Sequence, residues 1–396
     1  MKPQIYTEEE HQINQEHVDP NALEVIFRLK QGGHSAYLVG GGVRDLLLQR
    51  TPKDFDISTS AKPEEIKQLF GKRCLLIGKR FRLAHIRFGS QILEVSTFRA
   101  GDPESTSLIV RDNHWGCADE DVLRRDFTIN GLFYDPTTRT VLDYIGGYED
   151  LKRRMLRTIG DPHIRFKQDP VRMIRLIKFR ARFDFEVDHR TEKAMVQCKE
   201  EIMKSAPARV LEEIFKMLES GSSANFFALM LQYDFLDILF PCFHHFFSGS
   251  FSDVAYHYLK IIDQIHQEQS LLLDRSILLA ALVFPILEQE LITLSEDRQM
   301  PMTFGDIVHL SQSLLRGIST SSFTHFPKKI LSTTHFITIL QYRLTPLNNK
   351  PRFQTKFPSH EDFALSLQFL KLRSMINPKL KKVYVDWKNA REALAQ

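Results

Sequence analysis

Two carboxylates, Asp54 and Asp56, flank Phe55, and nine residues before Asp54 a glycine run ends in an arginine and an aspartate: Tyr37-Leu38-Val39-Gly40-Gly41-Gly42-Val43-Arg44-Asp45. On a strand, alternation turns Asp54 and Asp56 to one face and Phe55 to the core. Two adjacent carboxylates repel unless a cation lies between them, and a divalent metal is the usual answer. The glycine turn lets backbone N–H groups approach phosphate oxygens, and the helix start that follows favours the same anion. Alone, three glycines are often a turn and Asp-X-Asp a solvated strand end. Their order and spacing point instead to metal, phosphate and arginine acting together, which is the chemistry of nucleotidyl transfer. The glycines form neither a G-x-x-x-x-G-K-[ST] phosphate loop nor a G-x-G-x-x-G fingerprint.

Three further clusters extend this chemistry. Leu93-Glu94-Val95-Ser96-Thr97-Phe98-Arg99 reads as a strand beside the Asp54/Asp56 strand, so Glu94 is a candidate third carboxylate for the metal; the alternative is an exposed edge-strand charge. Asp121 to Asn130 carries Arg124, Arg125, Asp126 and Asn130. Two consecutive arginines cannot share one helix face: one grips a triphosphate while Asp126 holds that arginine or a sugar, or the pair divides between solvent and an ion pair. Gln168-Asp169-Pro170-Val171-Arg172 opens a helix with Asp169 as N-cap and Pro170 at N1. Arg172, Arg175 and Lys178 then form a basic stripe, and Asp169 with Arg172 offers the paired acceptor and donors that read a base edge.

The elements that must position these residues follow from the pattern. Residues 1–18 are polar and acidic and read as a loose arm. A helix runs from Pro20 to about Gln31, closed by Gly32-Gly33. Strands are expected at 36–39, 55–58, 74–77, 84–88 and 92–98, with a helix at 63–70. Beyond Gly160 helical periodicity takes over, at 169–183, 191–199, 207–218 and most of the remainder. Loops are expected at 319–327 and 346–358. The fold class is α+β: a mixed head at 19–160, a helical neck at 161–225 and a helical body with a basic tail at 226–396.

Composition narrows the class. A chain of 396 residues with 43% hydrophobic content holds a packed core. Cys74, Cys117, Cys198 and Cys242 lack metal or disulfide spacing and read as reduced. The N-terminus has no apolar signal-peptide core, and the longest apolar run, 277–287, reads as a core helix too short for a bilayer. A cytoplasmic protein without a membrane partner is expected. Net charge is only +4. From residue 301 onwards, however, fourteen Lys/Arg face five Asp/Glu, and a second basic cluster runs from Lys152 to Arg182. Both fit a polyanion partner.

Taken in order, these motifs resemble the tRNA nucleotidyltransferase/bacterial poly(A) polymerase family, a class II branch of the polymerase-β-like nucleotidyltransferases. The resemblance covers roughly residues 20–245. Gly41 to Asp45 with Asp54-Phe55-Asp56 is similar to the family's metal motif, and Arg124 to Asn130 to the motif that contacts ribose and triphosphate. Gly146-Gly147-Tyr148-Glu149-Asp150-Leu151 resembles the flexible turn between head and neck. Asp169-Pro170-Val171-Arg172 resembles the base-reading motif, and Arg209 to Lys216 the helix that braces it. The family usually carries glutamate at the position of Gln168 and arginine at that of Lys178. The stretches 76–86, 110–116 and 352–387 resemble the poly(A) polymerase branch.

The resemblance implies a polymerase-β-like head and metal-dependent addition of AMP from ATP to RNA 3′ ends, with pyrophosphate released. CCA addition to tRNA is the alternative. Asp54, Asp56 and Asp126 are then catalytic, with Mg²⁺ (or Mn²⁺) on Asp54, Asp56 and Glu94. Gly41, Arg44, Arg124, Arg125, Asp169, Arg172, Arg175 and Lys178 bind the nucleotide, and the partners are ATP and RNA.

Overall fold

The computed structural model describes residues 1–78, 83–101, 108, 114–269, 272–298, 302–345 and 362–395. Parts of the branch-marking stretches (79–82, 110–113 and 352–361) and the loop candidate 346–358 lie outside them. The chain divides into a first unit, Met1–Leu176 with Asp184–Ile202, and a second, Ile177–Phe183 with Met203–Gln396.

The first unit is built on an eight-stranded mixed sheet. Its strands are β1 (Gln4–Tyr6), β2 (Ala36–Val39), β3 (Asp56–Thr59), β4 (Cys74–Ile77), β5 (Leu83–Phe88), β6 (Gln91–Thr97), β7 (Leu132–Asp135) and β8 (Thr140–Asp143). They lie in the order β1-β8-β7-β2-β3-β6-β5-β4. Pairing is antiparallel except between β3 and β6, whose parallel register sets Ile57 against Val95 and Ser58 against Ser96. The helix Pro20–Gln31 is capped by Asp19, whose Oδ1 accepts from the N–H groups of Asn21 and Ala22. The helix Pro63–Phe70 buries Ile66 and Phe70. Both begin with proline at the first turn, where its missing N–H costs nothing.

Two expectations need correction here. Residues 1–18 are no loose arm: β1 adds to the sheet edge through β8, and Tyr6, His11, Ile13 and Val18 are buried. Ladder hydrogen bonds and the Tyr6 ring, 3.8 Å from that of Tyr148, hold a segment whose polar composition conceals its few anchors. The strand carrying the carboxylates starts at Asp56, not Phe55. Its partner β2 ends at Val39, opposite Asp56, because Gly40 (φ 68°) turns the chain away; Asp54 and half-buried Phe55 therefore precede the ladder.

Strands β7 and β8 were not expected. Leu132, Phe133 and Tyr134 are all fully buried, so they form a continuous apolar run without alternation. The turn after β8 is firmly held: Asp143 Oδ1 accepts from Ile145, Gly146 and Gly147 N–H, and Oδ2 from Tyr148 N–H. The 146–151 segment, expected as a flexible turn, is thus the fastened start of a helix, Gly147–Lys152. A short pair, β9 (Met155–Leu156) with β10 (Glu186–Val187), ties 184–202 to this unit.

The second unit is helical. Its longest described helix, Arg275–Arg298, includes Pro285 and is long and apolar enough to cross a membrane by length and composition, but 67% of its apolar window is buried inside the protein, so the core helix expected at 277–287 is present and longer than expected. Ile277, Leu278, Ala280, Ala281, Val283 and Phe284 are fully buried, and Phe284 packs edge-on against Phe369. Leu340, Leu344, Phe363, Leu367, Leu370 and Trp387 form a further core cluster, with Trp387 Nε1 donating to the Leu344 carbonyl. The helix Phe304–Ser321 runs into the segment expected as a loop at 319–327, which leaves helical order only from Ser322.

Candidate active site

The turn after β2 sets the geometry of the site. Gly40 has φ 68°, and a Cβ there would lie 3.3 Å from Arg125 Nη1. A Cβ on Gly42 would lie 3.1 Å from the Asp54 carbonyl oxygen, whereas one on Gly41 would make only ordinary contact with Arg44. Backbone thus passes between the carboxylates and an arginine, and Gly40 and Gly42 permit that approach more than Gly41 does.

A cavity of about 290 Å³ opens beside this turn. Its lining includes the carboxylates of Asp56, Glu94 and Asp121, the arginines Arg99, Arg124 and Arg125, and the hydroxyls of Ser58 and Ser96. The β3–β6 register explains why Glu94 lies beside Asp56: each sits one residue ahead of a paired position on neighbouring strands. Asp54 joins Asp56 and Glu94 around a second cavity of about 740 Å³. Loss of water around its carboxyl, then the charge of Glu94 and that of Asp54, push Asp56 above the usual carboxylate range against the pull of Arg125. Glu94 meanwhile lies 3.3 Å from His85 Nε2.

Among the described residues no three His, Cys, Asp or Glu side chains converge closely enough to hold a metal, so the expected ligand set is not preassembled. The donors nevertheless fit a hard divalent cation. They are carboxylate oxygens only, and their mutual repulsion at Asp56 is what a cation would relieve.

The arginine side is densely bonded. Arg125 Nη2 donates to Asp121 Oδ2 at 2.8 Å and to Ser58 Oγ at 3.2 Å, and its guanidinium lies 5.1 Å from the centre of the Phe133 ring. Arg124 lies 3.8 Å from Asp121. Burial, then the charges of Arg99, Arg125, Arg172 and Arg165, bring the Arg124 guanidinium down to about 9. Arg165 is lowered to about 9 as well, by burial and by Arg172, against the favourable fields of Asp126 and Asp169. A group of guanidiniums that depress one another is a receptor for a polyanion.

Several expected binding residues occupy supporting positions. Arg44 is buried; its Nε and Nη2 donate to Asp45 Oδ1 at 2.9 and 2.7 Å, and its Nη1 to Asn130 Oδ1 at 2.7 Å. Asn130 Nδ2 in turn donates to Asp126 Oδ1 at 3.0 Å. The two leading motifs are therefore wired together through Asn130. Burial acts to raise the Asp126 carboxyl, but Arg175, the Asn130 side chain, the Phe127 N–H and Arg172 together hold it below its ordinary value.

Arg172 is buried and donates to the carbonyls of Arg165 (3.2 Å) and Arg124 (2.9 Å). The helix it belongs to, Val171–Phe183, begins two residues later than expected. Asp169 instead caps the end of the helix Pro162–Gln168, and its carbonyl accepts from Arg172 N–H. Arg175 stands 3.7 Å from Asp126, whereas Lys178 belongs to the second unit and pairs with Glu213, so the expected basic stripe divides. Arg99, Asp121 and Arg165 had no expected role in the site. All are ordinary polar residues in sequence, and only their convergence singles them out.

Residues 36–157 match the model of the poly A polymerase head domain, and residues 184–247 that of the probable RNA and SrmB-binding site of polymerase A. Poly(A) polymerase I of Salmonella typhi is 33% identical over 97% of this chain and 84% of its own length. The CCA-adding enzyme of Lactobacillus helveticus is 37% identical, but over 53% of this chain and 52% of its own. A Thermotoga maritima CCA-adding enzyme complexed with tRNA shares the fold, with a TM-score of 0.57 and 20% identity over 98% of this chain and 100% of its own. Similarity to the poly(A) polymerase thus runs through the second unit as well, and the chain belongs to the bacterial poly(A) polymerase family of nucleotidyltransferases.

Proposed function

We propose that the first unit transfers AMP from ATP to RNA 3′ ends without a template. The observation that carries this reading is that Asp56 and Glu94 line one cavity together with Arg99, Arg124 and Arg125. Carboxylates and arginines lining one small space suit a triphosphate whose α-phosphorus lies near the carboxylates.

Arg124 and Arg125 bind the triphosphate, each with its backbone carbonyl already held from behind by Arg172 or Arg165. The RNA 3′-oxygen attacks the α-phosphorus, the bond to the bridging β-oxygen breaks, pyrophosphate departs and the hydroxyl proton passes to water. A divalent cation, Mg²⁺ or Mn²⁺, held by Asp54, Asp56 and Glu94 would supply charge stabilisation at the attacking and leaving oxygens. Asp126 accepts from a sugar hydroxyl with the oxygen that faces Arg175, its other oxygen being held by Asn130 and the Phe127 N–H. Asp169 and Arg172 select adenine; for Arg172 this requires its Nη groups to exchange backbone carbonyls for the base edge. RNA is held by basic residues of the second unit and tail, and its binding weakens as salt rises. Such an activity belongs in the cytoplasm, where both substrates are found.

CCA addition remains the rival because a CCA-adding enzyme matches half of the chain. Incorporation of labelled ATP and CTP into oligo(A) and into a tRNA lacking its CCA end separates the two. A ladder of A on oligo(A) with little CTP use supports poly(A) addition. Incorporation of C, C and A on the tRNA alone, then arrest, overturns it.

A further inference from the structure

The two cavities share Asp56 and Glu94 and no other residue of their described linings. The smaller holds Arg99, Arg124 and Arg125. The larger, of about 740 Å³, holds none of these and is lined instead by residues that include His17, Lys53, Asp54, His85 and Ile92. In-line displacement places the attacking and leaving oxygens on opposite sides of the phosphorus. With a triphosphate on the arginines, pyrophosphate departs within the smaller cavity. The attacking oxygen must then arrive from beyond the shared carboxylates, where the larger cavity opens.

The sheet extends that larger cavity. On β5 and β6, Ala84, Ile86, Leu93 and Val95 are buried on one face, while His85, Arg87, Ile92 and Glu94 alternate with them on the other. The register sets His85 opposite Glu94 and Arg87 opposite Ile92. Arg87 and Ile92 therefore stand two residues, about 7 Å, along the strands from the Glu94 pair. Ile92 is 47% exposed, and Lys53 and Arg87 are exposed as well. Asp19, a further acid of the lining, is occupied by the N–H groups of Asn21 and Ala22 and by Gln91 Nε2 at 2.6 Å. An open aliphatic surface with a cation at either end of it, continuous with the reacting carboxylates, suits the end of a single-stranded polyanion.

We propose that the larger cavity seats the 3′-terminal nucleotide of the acceptor RNA. Its 3′-oxygen lies at Asp56 and Glu94, its base rests on Ile92, and Lys53 and Arg87 bind the phosphates that precede it. The inference deepens the proposed function and rests on the triphosphate's lying among the arginines.

The test uses the full chain and two acceptors, the trinucleotide ApApA and a long oligo(A). The double variant K53A/R87A should raise KM for ApApA about ten-fold or more and leave KM for ATP within about two-fold. The slope of log KM for ApApA against log salt should fall by about 1.4, the share of two single-strand phosphates. K53R/R87K, which keeps both charges, should return KM for ApApA to within about three-fold of wild type. Irradiation of oligo(A) bearing a photoreactive 3′-terminal thiouridine should attach the RNA within residues 51–56 or 85–94, whether or not AMP is being added. An unchanged KM for ApApA in K53A/R87A, an equal rise in KM for ATP, no recovery in K53R/R87K, or a cross-link wholly outside these residues would each overturn the inference. If wild type adds AMP to neither acceptor while the cross-link falls in the cavity, the proposed function falls and the RNA seat stands.

Discussion

The acid and arginine sides of the small cavity are built by opposite means. Asp56 stands at the first rung of β3, and loss of water around its carboxyl, Glu94 and Asp54 all oppose its charge. Its neighbour Glu94 pairs with His85. Among the arginines, Arg125 is fixed by Asp121, Ser58 and the Phe133 ring, while Arg172 and Arg165 grip the backbone of Arg124 and Arg125. The arginine side is thus organised before any ligand arrives, and the acid side is left strained by its own repulsion. In the proposed reaction, polyphosphate meets a preset receptor, and a cation completes the acid side.

The largest expected effect breaks the acid side alone. Asp56→Ala should lower incorporation of labelled ATP by about 1,000-fold or more, because several kcal/mol of charge stabilisation vanish. Circular dichroism should report an unchanged fold. Retained turnover would remove Asp56 from the site. On the arginine side, Arg172→Ala should cost about 3 kcal/mol in urea unfolding, since it removes a charged donor from the Arg124 carbonyl and from the Arg165 carbonyl, which keeps only the Asp169 N–H. A loss of activity with unaltered stability would deny Arg172 that structural role.

A smaller effect is expected where the two leading motifs join. Asn130→Ala removes the link from Arg44 to Asp126, and KM for ATP should rise about ten-fold, the worth of a buried hydrogen bond or two. An unaltered KM would show that Asp126 holds its place without Asn130.

The finest comparison is one of sign. The Asp56 carboxyl lies above its ordinary 3.8, so its contribution to stability falls as pH rises from 3.8 through the folded-state value. Asp126 lies below 3.8; its contribution is present above 3.8 and lost as pH falls through the folded-state value. In EDTA at pH 7, Asp56→Asn should therefore stabilise the protein and Asp126→Asn destabilise it. Both differences should shrink in acid. Urea unfolding at pH 7 and in acid checks this, and shifts of the same sign would contradict the contrast.

What the sequence made legible was local. The helices Pro63–Phe70 and Pro207–Leu218 and the strands Ala36–Val39 and Cys74–Ile77 fall where proline starts, amphipathic spacing and short apolar runs place them. Glu94 was read beside Asp56 because two β-patterned stretches of a small head have few ways to pair. Strand β7 escaped because burial on both faces erases alternation, and β1 because its sheet partner lies more than a hundred residues away.

Side-chain roles divided along the same line. A carboxylate on a strand has little choice of direction, so Asp56 and Glu94 were placed by the chain itself. An arginine spans several ångströms on rotatable bonds, and its partner is whatever acceptor the fold brings near. Arg44 turned to Asp45 and Asn130, Arg172 to two carbonyls and Arg165 to Gln168 and Arg125, choices decided by residues remote in sequence. Local steric preference and hydrophobic periodicity are written in the order of residues, but the pairing of long charged side chains depends on which donors and acceptors packing brings together, and that belongs to the tertiary structure.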